Sequence, residues 1–215
     1  MTMRIKICGI TSLDDALLAA EAGADALGFI FVEGTPRYVT PAAAAGIIAA
    51  LPPFVAPVGV FWDQPPAHIL AVARECGLVA AQLHGQEPPE VVASLGLPVL
   101  KTLKVASAAD LDLLDRYKPA AFLLDSPARW SEGEARAPIP WTLAREAARR
   151  ARVILSAGLT PETVAEAIRV ARPYGVDVNS GVEAELGRKD ADKVRRFVRA
   201  ARAAGQSLSP EVDRG

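Results

Sequence analysis

Hydrophobic and polar positions along the chain form eight repeating units, each a short apolar run followed by a segment with helical periodicity. The apolar runs are largely unbroken, which is typical of parallel strands that are covered on both faces. They predict strands over 4–8, 25–31, 55–62, 79–84, 98–103, 120–125, 153–156 and 176–179. The intervening segments predict helices over 12–22, 41–50, 65–76, 88–95, 107–117, 141–151, 160–172 and 190–204.

Capping residues mark several of these boundaries. Thr40-Pro41 and Thr160-Pro161 each combine a helix cap with a proline at the first helical position, and Gly77 follows a helix end. Eight strand–helix units in 215 residues predict an α/β fold, a single (β/α)8 barrel over 1–215 with a polar tail from about 205. The alternative is a doubly wound open sheet, but Cys8-Gly9-Ile10-Thr11 lacks the glycine fingerprint of that fold.

The first strand carries polar residues on one of its faces. Alternation puts Ile5 and Ile7 on one side and Lys6 and Cys8 on the other. A buried lysine without a partner is very costly, and the first and eighth strands are neighbours in a closed barrel. We therefore expect Lys6 to pair with Asp177 of the eighth strand, or both to belong to one network that includes Asp125.

Composition narrows the class of protein. Hydrophobic residues make up 51% of the chain and the net charge is −1, without a long basic run, so nucleic acid is not the expected partner. No apolar segment is long enough to span a bilayer, and membrane association is not expected either. Two cysteines and two histidines argue against a disulfide framework and a metal site. We expect a cytoplasmic enzyme that acts on a small molecule.

Barrel enzymes collect their chemistry at the carboxyl ends of the strands. The unusual residues predicted there are Cys8, Arg37, Gln82, His84, Lys101, Asp125, Asp177, Asn179 and Ser180. Each also has an ordinary interpretation, because a cysteine is usually a small buried hydrophobe and an aspartate often caps a loop. Arg37 is either a solvated charge or a fork that holds a carboxylate.

The turns after the seventh and eighth strands contain Gly158 and Ser180-Gly181. Each turn offers backbone N–H groups just before a helical start. In barrels this pair of loops commonly binds a phosphate group, so a phosphorylated ligand is expected.

Several motifs together carry a family resemblance: Lys6-Ile7-Cys8-Gly9-Ile10-Thr11, Gly28-Phe29-Ile30-Phe31, Pro36-Arg37, Gln82-Leu83-His84-Gly85, Leu124-Asp125-Ser126, and Asp177 to Glu183 with Gly187, Lys189 and Asp190. In order and spacing they resemble the phosphoribosylanthranilate isomerase family. The resemblance implies a cofactor-free enzyme of tryptophan biosynthesis. It implies an Amadori rearrangement of N-(5-phosphoribosyl)anthranilate to 1-(2-carboxyphenylamino)-1-deoxyribulose 5-phosphate.

The resemblance also implies roles for individual residues. Cys8 is the expected general base, Asp125 the general acid, and Arg37 lies near the anthranilate carboxylate. Gln82 and His84 are expected to bind substrate, and the expected phosphate site comprises Gly158, Ser180 and Gly181. Because a free thiol has a pKa near 8.5, we hypothesise that local positive charge or loop dipoles favour the Cys8 thiolate.

The chain departs from the family pattern in two loops. Where a Gly-Gly-Thr-Gly run is usual after the sixth strand, the stretch 133–141 keeps only its first glycine and Trp141, and Arg129 or Arg136 is a candidate substitute. The turn after the seventh strand reads Ser156-Ala157-Gly158-Leu159 in place of Ala-Gly-Gly-Leu. The alternatives are another phosphate-binding barrel enzyme and a non-catalytic sensor of a phosphorylated metabolite. Both a monomer and a homodimer are compatible with the sequence.

Overall fold

Eight parallel strands close into a barrel, in which each strand pairs with the next and the last pairs with the first. This computed structural model describes residues 2–127 and 138–208. The strands are β1 (Arg4–Cys8), β2 (Ala26–Ile30), β3 (Ala56–Phe61), β4 (Ala80–Leu83), β5 (Val99–Lys104), β6 (Ala121–Asp125), β7 (Val153–Leu155) and β8 (Gly175–Val178). The predicted (β/α)8 barrel is confirmed.

Helical segments surround the barrel. They are α1 (Leu13–Glu21), α2 (Pro41–Ala49), α3 (Pro66–Cys76), α4 (Pro89–Ser94), a 3₁₀ helix (Ala108–Asp115), α5 (Trp141–Arg150), α6 (Val164–Ala171) and α7 (Ala191–Gln206). None of the helices in these parts of the chain is both long and apolar enough to cross a membrane. The tail that the sequence predicts from about 205 starts inside α7, and residues 209–215 lie outside the described residues.

Side-chain caps explain where several helices begin. The Ser12 hydroxyl accepts a hydrogen bond from the Asp15 N–H at the start of α1, and Thr40 caps α2 through the Ala43 N–H. Gly77 ends α3 in the left-handed conformation, with φ of 69°. These local signals are readable in the sequence, so most boundaries agree with prediction to within two residues.

Three details differ from the sequence-based expectation. The segment predicted as a helix over 107–117 is a 3₁₀ helix. Thr160 does not cap α6: its carbonyl closes a turn by accepting from the N–H groups of Thr163 and Val164, and the helix begins at Val164. A short 3₁₀ turn (Ser180–Val182) and an antiparallel hairpin, β9 (Glu183–Glu185) with β10 (Arg188–Lys189), follow β8 and were not predicted.

The two faces of each strand meet different surroundings. Ile5 and Ile7 belong to the large core between the strands and the helices. Cys8 instead packs with Ile30 and Val60 in a separate cluster inside the barrel. At the amino end of the strands, an open and mostly apolar pocket of about 240 Å³ leads into the interior. The polar side chains of the interior therefore concentrate toward the carboxyl end.

Candidate active site

A buried ion pair links the first and last strands of the barrel. Lys6 and Asp177 stand opposite each other in the register of β1 and β8, and Lys6 Nζ donates a hydrogen bond of 2.8 Å to Asp177 Oδ1. Their side chains are 4% and 5% exposed. The predicted pairing is confirmed. Ser156, at the end of β7, adds a bond of 3.3 Å from its hydroxyl to the second oxygen of Asp177.

Cys8 is buried at the carboxyl end of β1, beside this pair. Gly28 of β2 is its register partner, and a Cβ at Gly28 would lie 2.6 Å from Cys8 Sγ and 3.0 Å from Lys6 Nζ. Sulfur and ammonium therefore share a hollow that exists because residue 28 has no side chain.

The electrostatics of Cys8 differ from expectation. Burial raises the pKa of the Cys8 thiol, and the nearby Lys6 ammonium opposes that effect. The net direction is upward because burial outweighs the Lys6 ammonium, which does favour the thiolate as hypothesised. Burial lowers the pKa of Lys6, but the Asp177 carboxylate and Cys8 outweigh it, and the pKa is raised. The resting site therefore combines a thiol with an ammonium.

Asp125 ends β6 and is fully buried. Its Oδ2 lies 3.3 Å from His84 Nε2, and its Oδ1 accepts a hydrogen bond of 2.9 Å from the Ser126 N–H. The imidazole packs against Trp62 in a tilted arrangement, with ring centroids 5.3 Å apart. On the other side of the ring, His84 Nδ1 lies 3.2 Å from Gln82 Nε2 and 3.3 Å from Thr102 Oγ1. The carboxyl group is thus held in a defined orientation.

Strand β5 contributes different residues from those expected. Lys101 does not join this cluster: its ammonium binds Glu87 Oε2 and the Gly85 carbonyl, both at 2.7 Å, and lies over the Tyr117 ring. Thr102 faces the interior instead. Lys104 is the register partner of Asp125, and its ammonium lies 5.2 Å from the centre of the Trp62 ring. The prediction ended this strand at 103, one residue before Lys104.

Arg37 enters the mouth from the loop after β2. Its Nε and Nη2 groups donate to the two carboxylate oxygens of Glu183, both at 2.7 Å. Lys189, with no exposed side-chain surface, donates to Glu183 and to the Asn179 side chain at 3.1 and 3.0 Å. Because Glu183 binds the Nε and Nη2 groups of Arg37, the Nη1 edge of the guanidinium is left for a ligand. Burial raises the pKa of Glu183, but hydrogen bonds and charge from Arg37 and Lys189 lower it overall.

The two glycine turns pack against each other. Ala157 and Gly158 both have φ of 65°, so the turn after β7 is left-handed at two successive residues. Ser180 and Gly181 lie in the 3₁₀ turn after β8, and a Cβ at Gly181 would overlap the Leu159 carbonyl. Adjacent strand ends therefore bring these turns together, as expected for a phosphate site. The structure does not describe residues 128–137. Arg129, Arg136 and the first part of the altered stretch, residues 133–137, therefore lie outside the described residues.

A sequence model of the family described as N-(5'-phosphoribosyl)anthranilate (PRA) isomerase matches residues 5–200 of this chain. The chain belongs to the phosphoribosylanthranilate isomerase family.

Individual members of the phosphoribosylanthranilate isomerase family align over almost the full chain. The isomerase of Geobacter metallireducens is 49% identical over 201 residues, covering 94% of this chain and 100% of the relative. The isomerase of Rubrobacter xylanophilus is 47% identical over 204 residues, covering 93% and 99%.

Solved structures of phosphoribosylanthranilate isomerases have the same fold. The Thermotoga maritima enzyme superimposes with a TM-score of 0.89 at 42% identity, covering 94% of this chain and 99% of that chain. A structure of a phosphoribosylanthranilate isomerase in complex with reduced 1-(o-carboxyphenylamino)-1-deoxyribulose 5-phosphate gives a TM-score of 0.85 at 42% identity, with the same coverage. The fold and the order of motifs therefore agree with the family throughout.

Four residues of the phosphoribosylanthranilate isomerase barrel mouth received no role from the sequence: Thr102, Lys104, Glu183 and Lys189. In the sequence, Glu183 and Lys189 appear only as parts of the closing motif. The sequence does contain a signal for Thr102 and Lys104, because alternation along β5 puts both on the same inward face as Leu100. No comparable signal exists for Glu183, since Arg37, to which it is bound, is 146 positions away in the chain.

Proposed function

We propose that this protein isomerises N-(5-phosphoribosyl)anthranilate, with Cys8 as general base and Asp125 as general acid. The observation that carries the proposal is the placement of a thiol and a carboxyl group at the carboxyl ends of β1 and β6 in a barrel of this family. The roles given to Gln82, His84, Arg37 and the phosphate turns are part of the same proposal.

The first step is opening of the ribose ring. Asp125 gives its proton to the ring oxygen, the C1–O bond breaks, and an iminium forms between C1 and the anthranilate nitrogen. His84 Nε2, 3.3 Å from Asp125 Oδ2, orients the carboxyl group for this transfer. Gln82 and Thr102 hold the opposite edge of the imidazole and so keep His84 in place.

The second step is removal of the proton on C2. Cys8 first releases its thiol proton to water and takes the C2 proton as a thiolate, the C–H electron pair moves into the iminium, and an enolamine forms. The enolamine then tautomerises to the ketone by moving the C2 hydroxyl proton to C1. The positive iminium makes the C2 proton acidic, and it also favours a thiolate at Cys8 at the moment when a base is needed. The substrate nitrogen thus serves as the electron sink.

Binding uses the groups around these two residues. The Nη1 edge of Arg37 faces the anthranilate carboxylate, because Glu183 occupies the other edge. Backbone N–H groups of Gly158, Ser180 and Gly181 hold the phosphate. Placing the acid and the base on opposite sides of one bound sugar supplies the orientation that both proton transfers need.

The fluorescence of freshly made phosphoribosylanthranilate provides the test. The wild-type protein should abolish it, and Cys8→Ala and Asp125→Asn should each reduce turnover at least 100-fold. Both variants should bind reduced 1-(o-carboxyphenylamino)-1-deoxyribulose 5-phosphate within a few-fold of wild type. Cys76→Ala, which removes the other buried thiol, is the matched control and should turn over normally.

Two results would contradict the assignment. Normal turnover in Cys8→Ala would exclude the thiol as the base. Binding of the reduced product without any fluorescence loss in the wild type would indicate a sensor rather than an enzyme.

The proposal extends to the state of the protein in the cell. We propose one domain that works in the cytoplasm, where Cys8 stays reduced, and that pairs into a homodimer. Phe54, in the loop between α2 and β3, is 95% exposed, and an apolar cleft containing Met3 and Leu208 opens at the same end of the barrel. A dimeric enzyme is described from Thermotoga maritima, whose monomeric forms superimpose with a TM-score of 0.83 at 40% identity, covering 94% of this chain and 99% of that chain.

A further inference from the structure

We propose that the buried Lys6–Asp177 pair tunes the Cys8 thiol, the Lys6 ammonium favouring loss of its proton and the Asp177 carboxylate opposing it. Lys6 is then a positioning residue that acts through Cys8. The inference rests on the proposed function of Cys8 as the base.

The geometry brings the three groups into one hollow. Lys6 and Cys8 are two residues apart on the inward face of β1, and Asp177 is the register partner of Lys6 on β8. Cys8 Sγ and Lys6 Nζ lie 2.6 and 3.0 Å from the point that a Cβ at Gly28 would occupy. Sulfur and ammonium are therefore inside the range of roughly 4–6 Å over which one charge shifts the ionisation of another.

The charged groups around the sulfur come from several elements. Lys6 approaches along β1, Asp177 from β8 and Lys189 from β10. Arg37 lies over Gly9, where its Cδ is 2.8 Å from the position of a Cβ. Strand β2 presents Gly28 and Ile30, neither of which is charged. Burial raises the pKa of Cys8, Lys6 and Lys189 lower it, and Asp177 raises it.

The position of Asp177 decides how strongly Lys6 acts. Burial favours the neutral amine of Lys6, and both the Asp177 carboxylate and Cys8 favour its charged form, so a Cys8 thiolate remains as countercharge when the carboxylate is removed. The same carboxylate repels a thiolate. The pair thus keeps a positive charge next to Cys8 whose effect the Asp177 carboxylate partly offsets. Burial keeps the resting group a thiol, and the Lys6 charge makes its ionisation easier.

An electrostatic role and a purely structural role predict different outcomes. If the pair only holds the barrel together, removing either partner loosens the same contact and changes Cys8 in the same direction. If the pair tunes Cys8, removing the lysine and removing the carboxylate change its ionisation in opposite directions. The sign of the shift therefore separates the two roles.

The experiment is a pH titration of thiolate ultraviolet absorbance in the full-length protein, with the Cys8→Ala signal subtracted. Cys76 remains in that reference, and burial raises its pKa to about 11. Lys6→Met should move the Cys8 midpoint upward by about one pH unit or more, and Asp177→Asn should move it downward by about as much. Ser156→Ala keeps both charges and is the control that should leave the midpoint in place.

The double variant Lys6→Met/Asp177→Asn guards against loss of folding, because it leaves no unpaired buried charge. The lysine outweighs the aspartate at Cys8, so the double variant should titrate above wild type but below Lys6→Met. A double-variant midpoint at or below that of wild type overturns the proposal. So do single variants that both shift in the same direction, or that do not shift.

Turnover distinguishes failure of this inference from failure of the proposed function. The alkaline rise of kcat/KM should follow the same order of variants as the titration midpoints. A wild type that turns over while the midpoints stay fixed refutes the tuning alone. A wild type that never turns over refutes the proposed function, whatever the titration shows.

Discussion

Two atoms of the site occupy the space that a side chain at position 28 would fill. The carbon of an alanine at Gly28 would lie 2.6 Å from Cys8 Sγ and 3.1 Å from the Cys8 Cα, and the backbone atom has little freedom to move away. Non-bonded heavy atoms settle at about 3.5–4.0 Å, so the sulfur would have to shift by roughly 1 Å. A single hydrogen atom in place of a methyl group thus sets the position of the proposed base.

We therefore expect Gly28→Ala to lose turnover on the order of 100-fold, because a displacement of about 1 Å at a reacting atom has that effect. Overpacking should also lower the free energy of unfolding by about 1–3 kcal/mol. Steady-state kinetics and urea unfolding measure the two effects.

Gly46→Ala is the matched control for this substitution. Gly46 lies within α2, and a Cβ there would meet nothing within 4 Å. Alanine should stabilise that helix by roughly 0.5–1 kcal/mol and leave turnover unchanged. Full activity of Gly28→Ala would show that Cys8 Sγ does not need its present position.

At the scale of elements, the β9–β10 hairpin completes the mouth of the barrel. Glu183 on β9 holds Arg37, and Lys189 on β10 is buried between Glu183 and Asn179. The hairpin is fixed to the neighbouring segment after β1, because the Thr11 hydroxyl donates a hydrogen bond of 2.8 Å to the Gly187 carbonyl and the Lys189 N–H donates to Asp15. One hairpin therefore orients the predicted carboxylate-binding arginine.

Glu183→Gln should destabilise the protein and weaken substrate binding. It leaves Arg37 and Lys189 without their shared countercharge, and breaking a buried pair in this way costs on the order of 3 kcal/mol. KM should rise because Arg37 is no longer held by two charge-assisted bonds. The depressed pKa of Glu183 gives stability that is present above the usual carboxyl pKa and is lost as pH falls toward the lowered pKa. Urea unfolding at a series of acidic pH values should show this loss in wild type and not in the variant.

Glu185→Gln provides the control in the same hairpin. Glu185 pairs with Arg188 at 3.4 Å, and both side chains are more than two-thirds exposed. An exposed pair contributes at most about 1 kcal/mol, so stability and KM should stay close to wild type. Equal effects of the two substitutions would contradict a special role for Glu183.

For the whole molecule, the exposed side chain of Phe54 is the feature on which we base the proposed homodimer. Burying one phenylalanine side chain contributes about 1.5–3 kcal/mol, and a two-fold dimer buries it twice. Light scattering after size exclusion should find a dimer for the wild type and a monomer for Phe54→Asp, with the barrel still folded.

Leu186→Asp changes another exposed apolar residue, 55% exposed in the hairpin at the opposite end of the barrel. This variant should remain dimeric. A wild type that is monomeric at all concentrations, or a dimeric Phe54→Asp variant, would rule out this interface.

Sequence patterns predicted the elements well because their causes are local. Unbroken apolar runs specify strands that are covered on both faces, and Ser12, Thr40 and Gly77 mark helix ends through bonds that span only a few residues. Alternation along β1 placed Lys6 and Ile5 on opposite faces of the strand. Because the first and eighth strands are neighbours in a closed barrel, Asp177 was then the expected partner of Lys6. Each of these inferences needs only periodicity and nearest neighbours.

The sequence by itself determined the barrel, its strand order and the residue types at its mouth, because all three follow from periodicity and from pairing of successive strands. Apart from the pairing of Lys6 with Asp177, only the tertiary structure decided which of those residues touch. The bond between Arg37 and Glu183 joins positions 146 residues apart, and the raised pKa of Cys8 depends on burial by several elements at once. Desolvation and long-range charge are properties of the assembled barrel, so no local pattern in the chain records them.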